Sequence, residues 1–196
     1  MTPDWTDEQK RMMINRAIAF AYEAHKPFHR KGHKEEPYIT HPTEAMSVLN
    51  NMGLIQTDPN LVIAAILHDI VEDTPTTLED VRKEFGDDVE RLVASHTEDK
   101  DQTWEVRKQT LLDDLTEADD RVKLLVMADV LANLRSLYRD VRLKGDTVWK
   151  NFKRGKDKQY WYYSSVISKI SVLETYDYSK PLFIEMVELF HKVFSE

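Results

Sequence analysis

Apolar positions recur along most of the chain at the three- and four-residue spacing of an amphipathic helix. Met13, Ala17 and Ala21, flanked by Ile14, Ile18 and Tyr22, form the first such stripe, and Thr6 with Gln9 reads as a capping box ahead of it. Residues 26–40 break the pattern and read as a loop. Pro42 suits the first position of the next helix, with Gly53 as its terminator. Asp58 is placed to cap a helix that begins at Pro59 and is expected to run unbroken through "PNLVIAAILHDIVED" to Asp73. Further helices are expected after Thr77 up to Gly86, then over "DVERLVASH", "TWEVRKQTLLDDL" and "DRVKLLVMADVLANLRSLYRDV". Asp157 is a candidate cap for "KQYWYYSSVISKISVLE", and Ser179 with Pro181 a start for "PLFIEMVELFHKVF". No strand-type alternation, internal repeat or low-complexity tract interrupts the series. The pattern predicts an all-α fold, a compact array of roughly eight to ten helices. It is expected to form one domain over residues 1–196, with the last helix at 180–195.

Composition narrows the class. The chain has 196 residues, no cysteine and 41% hydrophobic content. That excludes a disulfide framework and thiolate chemistry. No run of eighteen apolar residues exists, so no membrane span is expected. The polar start, "MTPDWTDEQKRMM", lacks the apolar core of a secretory signal. A cytoplasmic protein is the expectation, and the oligomeric state stays open, a homodimer included.

The net charge of −8 argues against nucleic acid as a partner. The charge is uneven, however. "HKPFHRKGHK", residues 25–34, carries Lys26, Arg30, Lys31, Lys34 and three of the seven histidines without an acid. A second basic run is "WKNFKRGKDK" at residues 149–158. Two basic patches on an acidic chain suit a small anionic ligand better than a polymer.

One segment conflicts with simple burial. "LVIAAIL" at residues 61–67 is apolar all round, the mark of a buried helix, yet His68, Asp69, Glu72 and Asp73 follow at once. Each residue of a helix advances by about 100°, so these four form one compact polar patch. An unpaired buried carboxylate costs several kcal/mol. A divalent cation relieves both the burial of the acids and their mutual repulsion. Two further positions extend the set: His41 in "PYITHP", and Asp129 in "MADVLAN" with Asn133 one turn later on the same side. Each has a structural reading of its own, as an N-cap residue or as the partner of a lysine. With His68 and Asp69 they make two histidines and two aspartates, a nitrogen and oxygen donor set suited to a first-row divalent ion. A metal there would lower the pKa of bound water and polarise a phosphoryl oxygen.

The order His41, His68-Asp69, Asp129 resembles the HD superfamily of metal-dependent phosphohydrolases. "HRKGHKEEPYITHP", "AAILHDIVEDTPTTLEDVRKEFGDDVERLV" and "KLLVMADVLANLRSL" are similar, in order and separation, to the hydrolase domain of the (p)ppGpp synthetase/hydrolase enzymes. With "TEDKDQTWEVRKQ" and "VWKNFKRGKDKQYWYY" the resemblance extends over residues 14–170 and is closest to the stand-alone small alarmone hydrolases. No synthetase domain is expected after Glu196.

This resemblance implies an all-α hydrolase that removes the 3′-pyrophosphate of (p)ppGpp, the nucleotide of the stringent response. It implies a metal, usually manganese, on His41, His68, Asp69 and Asp129. It implies acid–base and water-orienting work for Glu72 and Asp73, phosphate contact for Arg30 and Lys31, and a nucleotide-pocket place for Asn133. Lys100 matches a substrate-side lysine, and Arg154 with the aromatics of "QYWYY" is expected to contribute to substrate binding. Val130 and Ala132 depart from the family's pattern, where a basic residue and a His or Tyr are common. Two alternatives remain beside this reading. One is another nucleotide phosphohydrolase on the same site, such as an NADPH phosphatase; the other is a catalytically silent module that binds the alarmone.

Overall fold

A computed structural model describes residues 5–33 and 35–194. Lys34 of the basic loop and position 195 of the expected last helix lie outside the described residues. Among those residues the chain is helical, in chain order α1 (Asp7–His25), α2 (Thr40–Asn51), α3 (Leu54–Thr57), α4 (Pro59–Leu67), α5 (Ile70–Asp73), α6 (Leu78–Phe85), α7 (Asp87–His96), α8 (Trp104–Glu117), α9 (Asp120–Lys144), α10 (Gly155–Lys169) and α11 (Lys180–Phe194). Short 3₁₀ segments follow α9 and α10. The one extended pairing among the described residues is an isolated bridge between His29 and Pro37 in the basic loop.

The helix starts follow local chemistry. Thr6 and Gln9 form the capping box of α1, Thr77 and Asp80 that of α6, and Asp58 accepts the Leu61 amide ahead of Pro59. Gly53, at φ 77°, takes the left-handed conformation that ends the turn after α2. Every residue of α4 is buried, and the helix is enclosed by α1, α2, α7 and α9. Fully burying each of its Leu, Ile and Val side chains contributes about 1.5–3 kcal/mol. Helix α9 crosses the middle of the fold against α2, α4, α7 and α11.

Ionic clamps fix α9 to its neighbours. Arg121 bonds Asp58, the cap of α4, and Asp88 of α7, with contacts of 2.7–2.9 Å. Arg135 reaches Glu185 of α11 at 2.7 and 2.8 Å and Glu44 of α2 at 2.5 Å.

Three expectations need correction. The helix expected from Pro59 to Asp73 is broken at His68-Asp69 into α4 and α5. Asp69 sits at φ −94°, ψ −4°, and His68 Nδ1 lies 2.8 Å from the Ala65 carbonyl, an acceptor that a continuing helix offers to the Asp69 amide. Helix α2 begins at Thr40, so Pro42 is its third residue rather than its first. The entry is a turn in which the Thr40 and His41 amides bond the Pro37 and Tyr38 carbonyls. Asp157 does not cap α10: that helix starts at Gly155 after Arg154, Asp157 lies in its first turn, and the expected tail becomes a 3₁₀ segment, Ser171–Thr175.

Candidate metal centre

The break between α4 and α5 is where the chemistry sits. His68 ends α4 wholly buried, Asp69 starts α5, His41 comes from the first turn of α2, and Asp129 from the middle of α9. Their donor atoms converge. His41 Nε2 lies 3.1 Å from His68 Nε2 and 3.1 Å from Asp129 Oδ1. His68 Nε2 lies 3.1 Å from Asp69 Oδ2 and 3.6 Å from Asp129 Oδ1, and His41 Nε2 is 3.5 Å from Asp69 Oδ2.

These separations fit a shared ion. Donors bound at about 2.0–2.2 Å and at right angles to one another stand about 3 Å apart. Two imidazole nitrogens facing each other this closely need a proton or a cation between them. His68 Nδ1–H donates to the Ala65 carbonyl, which leaves the Nε2 lone pair turned inward. Burial raises the carboxyl pKa of both aspartates, but the neighbouring imidazoles overcome it and hold Asp69 and Asp129 well below the usual range. Burial lowers His41, whereas in His68 the adjacent carboxylates overcome burial and raise it. The cluster is thus an anionic, nitrogen- and oxygen-lined site able to hold a divalent metal.

Supporting contacts orient the donors. Tyr38 donates to Asp69 Oδ2 at 2.5 Å, and Asn133 Nδ2 donates to Asp129 Oδ1 at 2.7 Å. Arg30 in turn donates to Asn133 Oδ1 at 3.2 Å. Glu72 and Asp73 line the same cleft, of about 240 Å³. Glu72 Oε1 accepts the Glu98 amide at 2.7 Å, and Lys100 Nζ lies 2.6 Å from Asp73 Oδ1 and 3.8 Å from Glu72 Oε2. Burial pushes the Glu72 carboxyl up from its ordinary value, a shift the Glu98 amide partly offsets.

Arg30 also lines an adjoining cleft of about 280 Å³, together with Lys31, Asn133, Phe152 and Tyr163. Lys31 Nζ stands 4.6 Å from the Phe152 ring centroid, and burial lowers its pKa. Arg154 is not among the residues lining either cleft; it pairs with Glu105 at 2.8 Å on the surface. Val130 is core, and Ala132 lines a side cleft with His41 and Arg135. His96, which the motif blocks do not single out, reaches the centre from the end of α7, its Nε2 3.5 Å from Asp129 Oδ2. Its signal was its place at the end of the apolar series Val89, Leu92, Val93, which turns it inward.

An all-helical frame with a buried His/Asp cluster beside two further carboxylates defines a metal-binding domain of hydrolytic type. The HD domain family model matches residues 17–157, and the chain belongs to that family. Among its relatives is guanosine-3′,5′-bis(diphosphate) 3′-pyrophosphohydrolase MESH1 of Xenopus tropicalis, 40% identical over 127 residues, 65% of this chain and 70% of the relative. The Drosophila melanogaster protein of the same name is 33% identical over 153 residues, 78% and 82% of the two chains. A solved structure of a metazoan ortholog of SpoT, which hydrolyzes ppGpp and plays a role in starvation responses, matches with a TM-score of 0.76 at 29% identity. It covers 92% of this chain and 94% of that one. No helix among the described residues is long and apolar enough to cross a membrane.

Proposed function

We propose that this protein hydrolyses the 3′-pyrophosphate of (p)ppGpp, yielding GDP or GTP and pyrophosphate, with manganese as the metal. The observation that carries the reading is one cleft lined by His41, Asp69 and Asp129 of the cluster together with Glu72 and Asp73, which adjoins a basic, aromatic pocket at Arg30. The names and extents of the relatives support the substrate.

His41, His68, Asp69 and Asp129 would hold the metal, and a metal held there would supply Lewis-acid polarisation of the phosphoryl group and activation of water. Glu72, with its raised pKa, takes a proton from the attacking water or returns one to the leaving ribose 3′-oxygen, and Asp73 orients the water. Lys100, beside both carboxylates, balances their charge and meets the outer phosphate. Arg30 and Lys31 hold the pyrophosphate; arginine's planar fork suits two phosphate oxygens at once. Asn133 braces Asp129 and faces the nucleotide. Arg154 joins them only when its pair with Glu105 opens.

The test is incubation of the purified protein with manganese and ppGpp, with products resolved by chromatography. GDP and pyrophosphate in equal amounts support the reading. Intact ppGpp beside phosphate released from NADPH would place the enzyme with the other nucleotide phosphohydrolases. Intact ppGpp that stays bound would make it a binding module.

A further inference from the structure

Among the described residues, His96 is the one imidazole at the centre that the ligand set above leaves unused. It closes α7 and is buried, 8% exposed. Its ring meets that of His68 edge to face, with centroids 5.1 Å apart. His96 offers a ligand atom that lies, with those of His68 and Asp69, within 4.8 Å of one another.

The protein meets its nitrogens poorly. Nδ1 is buried without a hydrogen-bond partner among the described residues. Nε2 has Asp129 Oδ2 at 3.5 Å, beyond the roughly 2.7–3.2 Å of a good N–H···O bond. Leaving a buried polar group unmet is costly. His41 shows the same arrangement, Nε2 in the centre and Nδ1 buried without a partner among the described residues. A core histidine kept for packing is expected to donate to a carbonyl, as the buried His25 does to Ala21 at 3.0 Å. An imidazole aimed at an anionic cluster, its inward nitrogen held only by a long contact to Asp129, is arranged as a ligand.

We propose that His96 is a fifth protein ligand of the metal, so that three imidazoles and two carboxylates form the centre. The inference rests on the proposed metal centre and goes beyond its two-histidine, two-aspartate set. A third imidazole enriches the site in nitrogen. It shifts preference from manganese toward cobalt, nickel and zinc, compared with the same site lacking His96.

Cobalt(II) provides the test. In the proton NMR spectrum of the cobalt-loaded protein, each ligating imidazole contributes one strongly shifted N–H signal that disappears in heavy water. Three such signals are expected from the wild type and two from His96→Ala. The affinity for cobalt, measured by competition with a chelator, should fall at least tenfold in His96→Ala, and more than the affinity for manganese. His96→Gln serves as a second variant, of closer size, if His96→Ala folds poorly; the wild-type count needs no variant at all. Two signals in the wild type, unchanged in either variant, would overturn the role of His96 and leave the centre standing. A wild type that takes up no cobalt would overturn the centre itself, and the proposal with it.

Discussion

Tyr38 donates its phenolic proton to Asp69 Oδ2 at 2.5 Å, so the loop before α2 holds a carboxylate that stands at the start of α5. Burial, and next the charge of Asp69, raise the Tyr38 pKa well above its ordinary value, which keeps the hydroxyl a donor at neutral pH. Tyr38→Phe keeps the ring, stacked 4.8 Å from His25, and removes only that donor. Outer partners of this kind are worth on the order of 10–100-fold in metal affinity. The expected result is a loss of that size in manganese titration with little change in Tm; an unchanged Kd would show that Asp69 needs no help.

Asp69→Asn and the pair Glu72→Gln with Asp73→Asn separate holding the metal from using it. The first removes an anionic donor from the cluster, and should lose both metal and turnover while remaining folded. The second leaves the cluster intact, and should keep stoichiometric metal while kcat falls by on the order of 10² or more. Metal analysis beside kinetics distinguishes them, and loss of metal in the second would move Glu72 or Asp73 into the ligand set.

Glu72 also gives a pH signature. Its folded pKa is raised, so between the unfolded value, about 4.3, and the folded one the native state binds more protons than the unfolded state. Wild-type stability therefore falls as pH rises through that window. Glu72→Gln cannot ionise and escapes this loss. In metal-free protein, the Tm of Glu72→Gln relative to wild type should rise from about pH 4 toward neutrality. A difference that stays constant over the range would show that Glu72 titrates normally.

At saturating manganese, Arg30→Ala with Lys31→Ala should keep stoichiometric metal and raise KM for ppGpp. Added salt should weaken the wild type more than this variant, because screening acts on an attraction the variant has lost. Equal KM values and parallel salt slopes would reduce the basic loop to a solvated face.

Arg121 carries structure rather than chemistry. It binds Asp58 and Asp88 together and, as the first cause, holds the Asp88 carboxyl down at about 2. Arg121→Ala should destabilise by about 1.5–3 kcal/mol, the scale of hydrogen bonds to charged groups. The Asp88 carboxyl is depressed in the fold. Its contribution is therefore complete above its unfolded pKa of about 3.9 and is lost as pH falls toward about 2. Denaturant titration near neutral pH and in acid should show the difference between wild type and variant shrinking in acid.

The four proposed ligands were legible because each is a polar group lodged in an apolar helical pattern or beside a rigid proline, and the motif blocks set their order. The capped helix starts at Thr6, Asp58 and Thr77 were legible for the same local reason. The break at His68-Asp69 was not, since the apolar run before it has helical periodicity and the ring that competes for the Ala65 carbonyl shows only in three dimensions. His96 was missed because a histidine ending an amphipathic helix has no local sign of what it faces; only the packing of α7 against α9 brings it to Asp129. Arg154 lies in a basic run, but its partner Glu105 is remote in sequence.

The central claim is hydrolysis at the phosphorus that bears the ribose 3′-oxygen. It is tested most directly by letting the manganese-loaded protein turn over ppGpp in ¹⁸O-labelled water and weighing the products. The account predicts one labelled oxygen in pyrophosphate and none in GDP. Label in orthophosphate or in the nucleotide, or no turnover by protein that has bound its metal, would contradict it.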